Sequence, residues 1–217
     1  MQPKTLLVLL TMAAVYVRSA SAAPEDFVSP DHLFSLSYPA EFTSSKTTDL
    51  AEKSEIALLL RHAQEGYPTF NVLVQPTAYD ASGVSLAAQT SRVLESYRLV
   101  GITDARILHS ALTSLAARQA FSAEIAYRNQ GQEFISSLWI VPAGDRHLIL
   151  TFVDYAANFA AHKYLRDQIV NSLAVFDRPT PPKPTPAWSG KLKFKVALMA
   201  AILMLAILVL YASRRAI

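Results

Sequence analysis

The 217 residues contain no cysteine. That excludes disulfides, thiol nucleophiles, thiolate metal sites and a lipid-modified cysteine anchor. No Asn-x-Ser or Asn-x-Thr sequon occurs either. Glycine is scarce, with six residues, and none falls in a dinucleotide fingerprint, a P-loop or a Gly-x-Ser-x-Gly elbow. Little backbone is therefore free to cradle a phosphate or to raise a nucleophile on a sharp turn. The five histidines, His32, His62, His109, His147 and His162, stand far apart without a His-x-x-x-His pair. No residue constellation spells out a reaction. The sequence names no catalytic, cofactor-binding or metal-binding residue and calls for no cofactor.

The formal charge of +3 conceals an uneven distribution. Residues 24–177 hold 11 Lys and Arg against 17 Asp and Glu, a net charge of −6, and the other 9 basic residues lie in the terminal segments. Nucleic-acid binding needs a basic face on the folded domain, so it loses its support.

Those terminal segments give the organisation. Residues 1–22 read as a signal peptide, with Lys4 as positive start, an apolar core over 5–17 and the small-residue cleavage pattern Ala20-Ser21-Ala22. An uncleaved anchor is the alternative, but thirteen apolar-rich residues are short for a span. Residues 178–187 carry Pro179, Pro181, Pro182, Pro184 and Pro186, a polyproline II spacer extending roughly 30 Å. Its two PxxP patterns also fit a docking motif, an idea that the position between domain and membrane weighs against. The spacer and a basic flank complete 178–195. Residues 196–212 are free of charge and read as a minimal transmembrane helix of roughly 25 Å, followed by a basic tail, 213–217. Lys191, Lys193 and Lys195 outnumber Arg214 and Arg215, which alone would place the domain in the cytoplasm. A cleavable signal commits the domain to export first, so the domain is expected to face outward. Export without cysteines or sequons points to a bacterial envelope, with the domain on the periplasmic side of the inner membrane.

Residues 24–177 suit one domain. Strands are expected over 33–38, 55–62 and 69–75, with Phe42 plugging the sheet's end. A helix over 85–98, N-capped by Ser85, buries Leu86, Thr90, Val93, Leu94 and Tyr97. A weaker strand over 105–112 ends near Thr113-Ser114. The run 119–127 alternates Phe121, Ala123, Ile125 and Tyr127 against Ser122 and Glu124, the period of a half-buried strand. Asn129-Gln130-Gly131 turns the chain. Residues 134–141 and 147–153 are apolar on both faces, so the sheet is expected to be covered on both sides. A last helix presents Phe159, His162, Leu165, Ile169, Leu173 and Phe176 to it. The expected fold class is α+β, an α-β-α sandwich around a largely antiparallel sheet, plus the C-terminal transmembrane helix.

Several side chains invite a chemical reading. His109 and His147, on strands or strand ends, could approach each other around a metal. Glu124 and Glu133 flank one hairpin as a glycosidase pair would, yet a turn centred on Gln130 sets Glu133 opposite Tyr127 and leaves Glu124 further along. Asp154 and Asn158 read as caps of the last helix. Tyr127, Trp139 and Tyr155 could line a pocket or simply fill the core. In each case the structural reading is the weightier.

The strand Phe34-Ser-Leu-Ser-Tyr-Pro39 with Phe42 three residues on, the helix closing on Gly101, the strand His147-Leu-Ile-Leu-Thr-Phe152 and the final run Ile169-Val-Asn-Ser-Leu-Ala-Val-Phe176 together resemble the PsbP-like superfamily. That superfamily includes the photosystem II extrinsic subunit, a Ran-binding import factor and DcrB-type envelope lipoproteins. The resemblance covers nearly all of 24–177 by pattern, without a signature motif. It implies a sandwich fold and a non-catalytic role, here with a protein partner in the envelope and a membrane helix as tether. An envelope hydrolase and a small-ligand-binding module are the competing expectations.

Overall fold

The computed structural model describes residues 23–45 and 56–176. The expected signal peptide, linker, transmembrane helix and tail lie outside the described residues. Among those described, no helix is long and apolar enough to cross a membrane.

In chain order the elements are β1 (Glu25–Val28), β2 (Phe34–Tyr38), β3 (Phe42–Ser44), β4 (Ile56–His62), β5 (Thr69–Gln75), α1 (Leu86–Leu99), β6 (Arg106–Leu115), β7 (Arg118–Asn129), β8 (Gln132–Ala143), β9 (Arg146–Tyr155), α2 (Lys163–Asn171) and β10 (Ala174–Val175). Seven strands form one sheet in the order β3-β4-β5-β9-β8-β7-β6, and β1-β2-β10 form a small second sheet. Every pairing is antiparallel. The class is α+β.

Two apolar clusters lie on opposite faces of the large sheet. One joins α1, through Val93 and Tyr97, to Phe121, Ile125, Tyr127, Leu138, Ile140 and Ile149. The other joins α2, through Leu165, Ile169 and Val170, and β2, through Phe34 and Leu36, to Phe70, Val72, Leu148, Leu150 and Phe152. β9 is buried from His147 to Asp154, as its two-sided apolar run predicts. Phe42 is 2% exposed, in β3 at the sheet's edge.

Turn chemistry sets the registers. Gln130 (φ 50°) and Gly131 (φ 81°) both take left-handed backbone, the two-residue loop that suits the twist of a hairpin. Asn129 therefore faces Gln132, and Arg128 faces Glu133. This corrects the expected register by one place, since the loop is Gln130-Gly131 and is not centred on Gln130. β6 also runs past its expected end. Its turn to β7 is Ala116-Ala117, at φ 50° and 57°, a left-handed pair that costs alanine roughly 1–2 kcal/mol per residue.

Both helices depart from their expected faces. Ser85 does cap α1, accepting from the Ala88 N–H at 3.3 Å. The buried residues, however, are Gln89, Val93, Ser96 and Tyr97, with Leu86 37% exposed. Gln89 is buried because its amide donates to the carbonyls of Val84 (2.8 Å) and Ala81 (3.2 Å), and Ser96 because its hydroxyl donates to Val93 O. Satisfied polar groups bury cheaply. α2 is shorter than expected: Leu173 and Phe176 lie beyond it. The Ser172 hydroxyl bridges Ile169 O and Ser37 O, and the chain then pairs along β2 as β10.

Candidate functional site

α2 and the small sheet close only part of their face. Register places His109, Glu124, Ser137 and Phe152 in one row across β6 to β9, and Ala111, Ser122, Trp139 and Leu150 in the next. At the β9 end of these rows, Phe152 and Leu150 are fully buried. Towards β6 the cover thins: Ser122, Glu124, Ala126, Ile135 and Trp139 are half-buried and His109 is exposed. The expectation that β8 is covered on both faces holds at Val141 and fails at Ile135 and Trp139.

Arg166 borders this open half. It lies on the buried side of α2, its side chain 9% exposed. One guanidinium nitrogen donates to Glu124 Oε1 at 2.7 Å and to Ser137 Oγ at 3.0 Å, while Nε donates to Asp167 Oδ1 at 2.9 Å. The Phe159 ring lies 5.5 Å from the guanidinium carbon, within cation–π range. The cleft in front, about 150 Å³, is lined by His109, Ser122, Glu124, Ser137, Trp139 and Arg166. Further along the same strands a groove of about 360 Å³ runs over Leu108, Ala126 and Ile135, between Arg106, Arg128 and Glu133.

A second constellation joins β9 to α2. Asp154 is wholly buried, and its carboxylate accepts from the Tyr155 N–H (2.8 Å) and sits 2.7 Å from His162 Nδ1. Burial raises the Asp154 carboxyl above its ordinary range, a shift the His162 hydrogen bond opposes. The carboxylate holds Nδ1 as the donor and fixes the imidazole tautomer. The His162 ring stacks on His62, centroids 6.2 Å apart at 19°. Asp154 is thus no cap. It is next to last in β9 and fastens the residue that precedes α2.

The other candidates do not converge. His147 lies level with Pro142 and His109 with Ser137 across β8, so their rows are five residues apart along the sheet. His147 Nδ1 meets Thr77 O at 2.6 Å, and burial lowers its imidazole pKa. His32 sits in a turn at φ 53°. Among the described residues, no three His, Asp or Glu side chains could hold a metal ion. Glu124 pairs with Arg166 and Glu133 with Arg128. Tyr127 is core on the α1 face, Trp139 lines the cleft on the opposite face, and Tyr155 packs beside Tyr67 and Phe134 at the sheet's end. Arg166 and Ser137 escaped the sequence reading. The signal for Arg166 is a cation between Leu165 and Ile169, two residues of an apolar helix face, which requires a partner in the core.

No protein-family model matches the chain, and no curated protein matches it. Solved structures do. The cyanobacterial PsbP protein CyanoP of Synechocystis superposes with a TM-score of 0.58 at 10% identity, over 73% of this chain and 96% of its own. The fold is PsbP-like. The Ran-binding protein Mog1p of Saccharomyces cerevisiae shares this PsbP-like fold, with a TM-score of 0.52 at 12% identity over 71% of this chain and 96% of its own. At such identities the likeness is one of fold.

Proposed function

We propose that the chain is a membrane-anchored, outward-facing accessory domain of a bacterial envelope, which binds a protein partner and catalyses no reaction. The open half of the large sheet carries this reading. Small-molecule sites are typically enclosed pockets of about 300–1,000 Å³, whereas the cleft at Arg166 is about 150 Å³ and the groove further along the same strands, about 360 Å³, lies open rather than enclosed. A protein partner covers roughly 800 Å² per side, for which a broad, half-apolar face is suited. The PsbP-like fold adds a precedent, since Mog1p is a Ran-binding protein. The segments outside the described residues supply the setting: 1–22 for export, 196–212 as a membrane helix beside the sandwich, and the proline-rich stretch as spacer.

The test is co-purification from mild detergent of the full chain, of the chain cut after Asp177 and of Ala126→Arg, whose fold is verified by an unchanged Tm. A stoichiometric protein held by the first two and lost from the third is expected. A partner indifferent to Ala126→Arg, or none under crosslinking, overturns the reading.

The buried Asp154–His162 pair favours a second reading, an envelope hydrolase or small-ligand module, because a carboxylate-oriented imidazole is the base half of a nucleophilic apparatus. His162→Gln decides it. Loss of a hydrolytic activity at unchanged Tm supports the enzyme, and loss of stability alone supports a fastening role.

A further inference from the structure

The geometry points to a homodimer built by antiparallel pairing of β6 with β6 of a second copy, its twofold axis at Leu112. This goes beyond the accessory-domain reading and rests on it only for the membrane tether. Among the described residues β6 is an edge strand, ten residues long, and its outer row of backbone donors and acceptors invites another strand. Folded proteins commonly blunt such an edge with lysine, proline, inward charge or brevity. The opposite edge follows that rule: β3 is three residues long. In the small sheet, β1 carries Glu25 and Asp26, and β10 is two residues long. β6 carries a bulge, a further such device, between Ile107 and His109, but no proline and no Lys, Arg, Asp or Glu from Ile107 to Leu115. It offers instead the exposed leucines Leu108 (43%) and Leu112 (41%).

The register follows from symmetry. A continuous antiparallel sheet made of two identical strands has its twofold normal to the sheet, so the axis falls on a residue that faces its own copy. The bulge between Ile107 and His109 leaves 109–115 as the regular stretch, and its middle residue is Leu112. Leu112 then meets Leu112 of the second copy, Ser110 meets Ser114, Ala111 meets Thr113 and His109 meets Leu115. No Lys, Arg, Asp or Glu faces its like across this seam, and two half-exposed leucines cover each other.

The occupant is a second copy for two further reasons. The chain's own continuation leaves from Phe176, close to the β6–β7 turn, where Arg118 reaches Val175 O at 3.5 Å. The next residues hold five prolines, which lack the N–H that a ladder requires. Rotation about the sheet normal also keeps the α2 side of both copies on one side, and with it β10, where the described residues end, as a tether to one bilayer would require. A seven-residue seam is a small interface, and tethering to one bilayer raises the effective concentration that holds it.

The absence of cysteine makes the test clean. Leu112→Cys and, as control, the more accessible Tyr164→Cys are made in the full chain, reconstituted in lipid vesicles and treated with a short bismaleimide. The expected result is a covalent dimer at position 112 at least several-fold above that at 164. Leu112→Lys should convert the wild-type dimer to monomer in native-state mass measurement at unchanged Tm. A monomeric wild type overturns the inference. So does a dimer that crosslinks no better at 112 than at 164, or one that survives Leu112→Lys, because association then runs through the membrane segment or another face.

Discussion

Asp154 carries a cost that its surroundings offset without cancelling. Its carboxyl is held above the ordinary 3.8 chiefly because burial disfavours the charged form, with His162 and the Tyr155 N–H pulling the other way. The native state therefore holds this proton more tightly than the unfolded chain does. The resulting advantage is complete below pH 3.8 and is lost as pH rises through the raised value. Asp154→Asn cannot ionise and lacks this dependence. Tm of the wild type minus Tm of the variant should accordingly fall from about pH 4 towards neutrality. His147, lowered by burial from 6.5, acts with the opposite sign, destabilising the fold as pH falls. It is common to both proteins and drops out of the difference. A difference that stays flat or rises with pH contradicts this account of the Asp154 environment.

At the scale of elements, α2 is fastened to the sheet by apolar contacts and by Arg166. Arg166→Met keeps the aliphatic stem but removes the guanidinium over Phe159 and leaves Ser137, 1% exposed, without its donor. The expected loss in urea unfolding is roughly 2 kcal/mol, the cost of an unsatisfied buried group plus part of an ion pair. Glu124 is 36% exposed, so solvent screens its share, and Glu124→Gln should cost less than about 1 kcal/mol. Equal losses from the two variants would locate the anchorage in the ion pair and refute this division. The strands were legible because their signals are local: alternation over 119–127, apolar residues on both faces of β8 and β9, and turn residues at Gln130-Gly131. The misses are non-local. Ala116-Ala117 is no turn signal, and its left-handed backbone is imposed by the two long strands on either side. β1 and β10 exist because β2 offers them edges, which no window of sequence contains. Gln89 and Ser96 are buried on the strength of carbonyls that only the folded loop and helix supply. For the same reason the open face was invisible: which half of the sheet α2 covers depends on where the helix lands.

For the whole molecule, the question is the side of the membrane to which the proposed tether would hold this acidic domain. The flanking lysines and the proposed signal argue in opposite directions. Charge bias governs the orientation of a helix that inserts while both flanks are still cytoplasmic. Here the whole domain, 24–177, precedes 196–212 in the chain, and an export signal at 1–22 would carry it across before 196–212 emerges. Orientation should then follow the signal. With no native thiol, one introduced cysteine reports it without background. Tyr164→Cys, at a side chain 59% exposed on α2, should react with a membrane-impermeant maleimide in intact spheroplasts. Ser213→Cys, beyond the proposed membrane segment, should react only after permeabilisation. The reverse pattern would place the domain in the cytoplasm and remove the envelope setting from the proposed function. Labelling of both positions in intact cells would mean that 196–212 does not span, and the tether would have to be abandoned while the PsbP-like domain and its open sheet face remained.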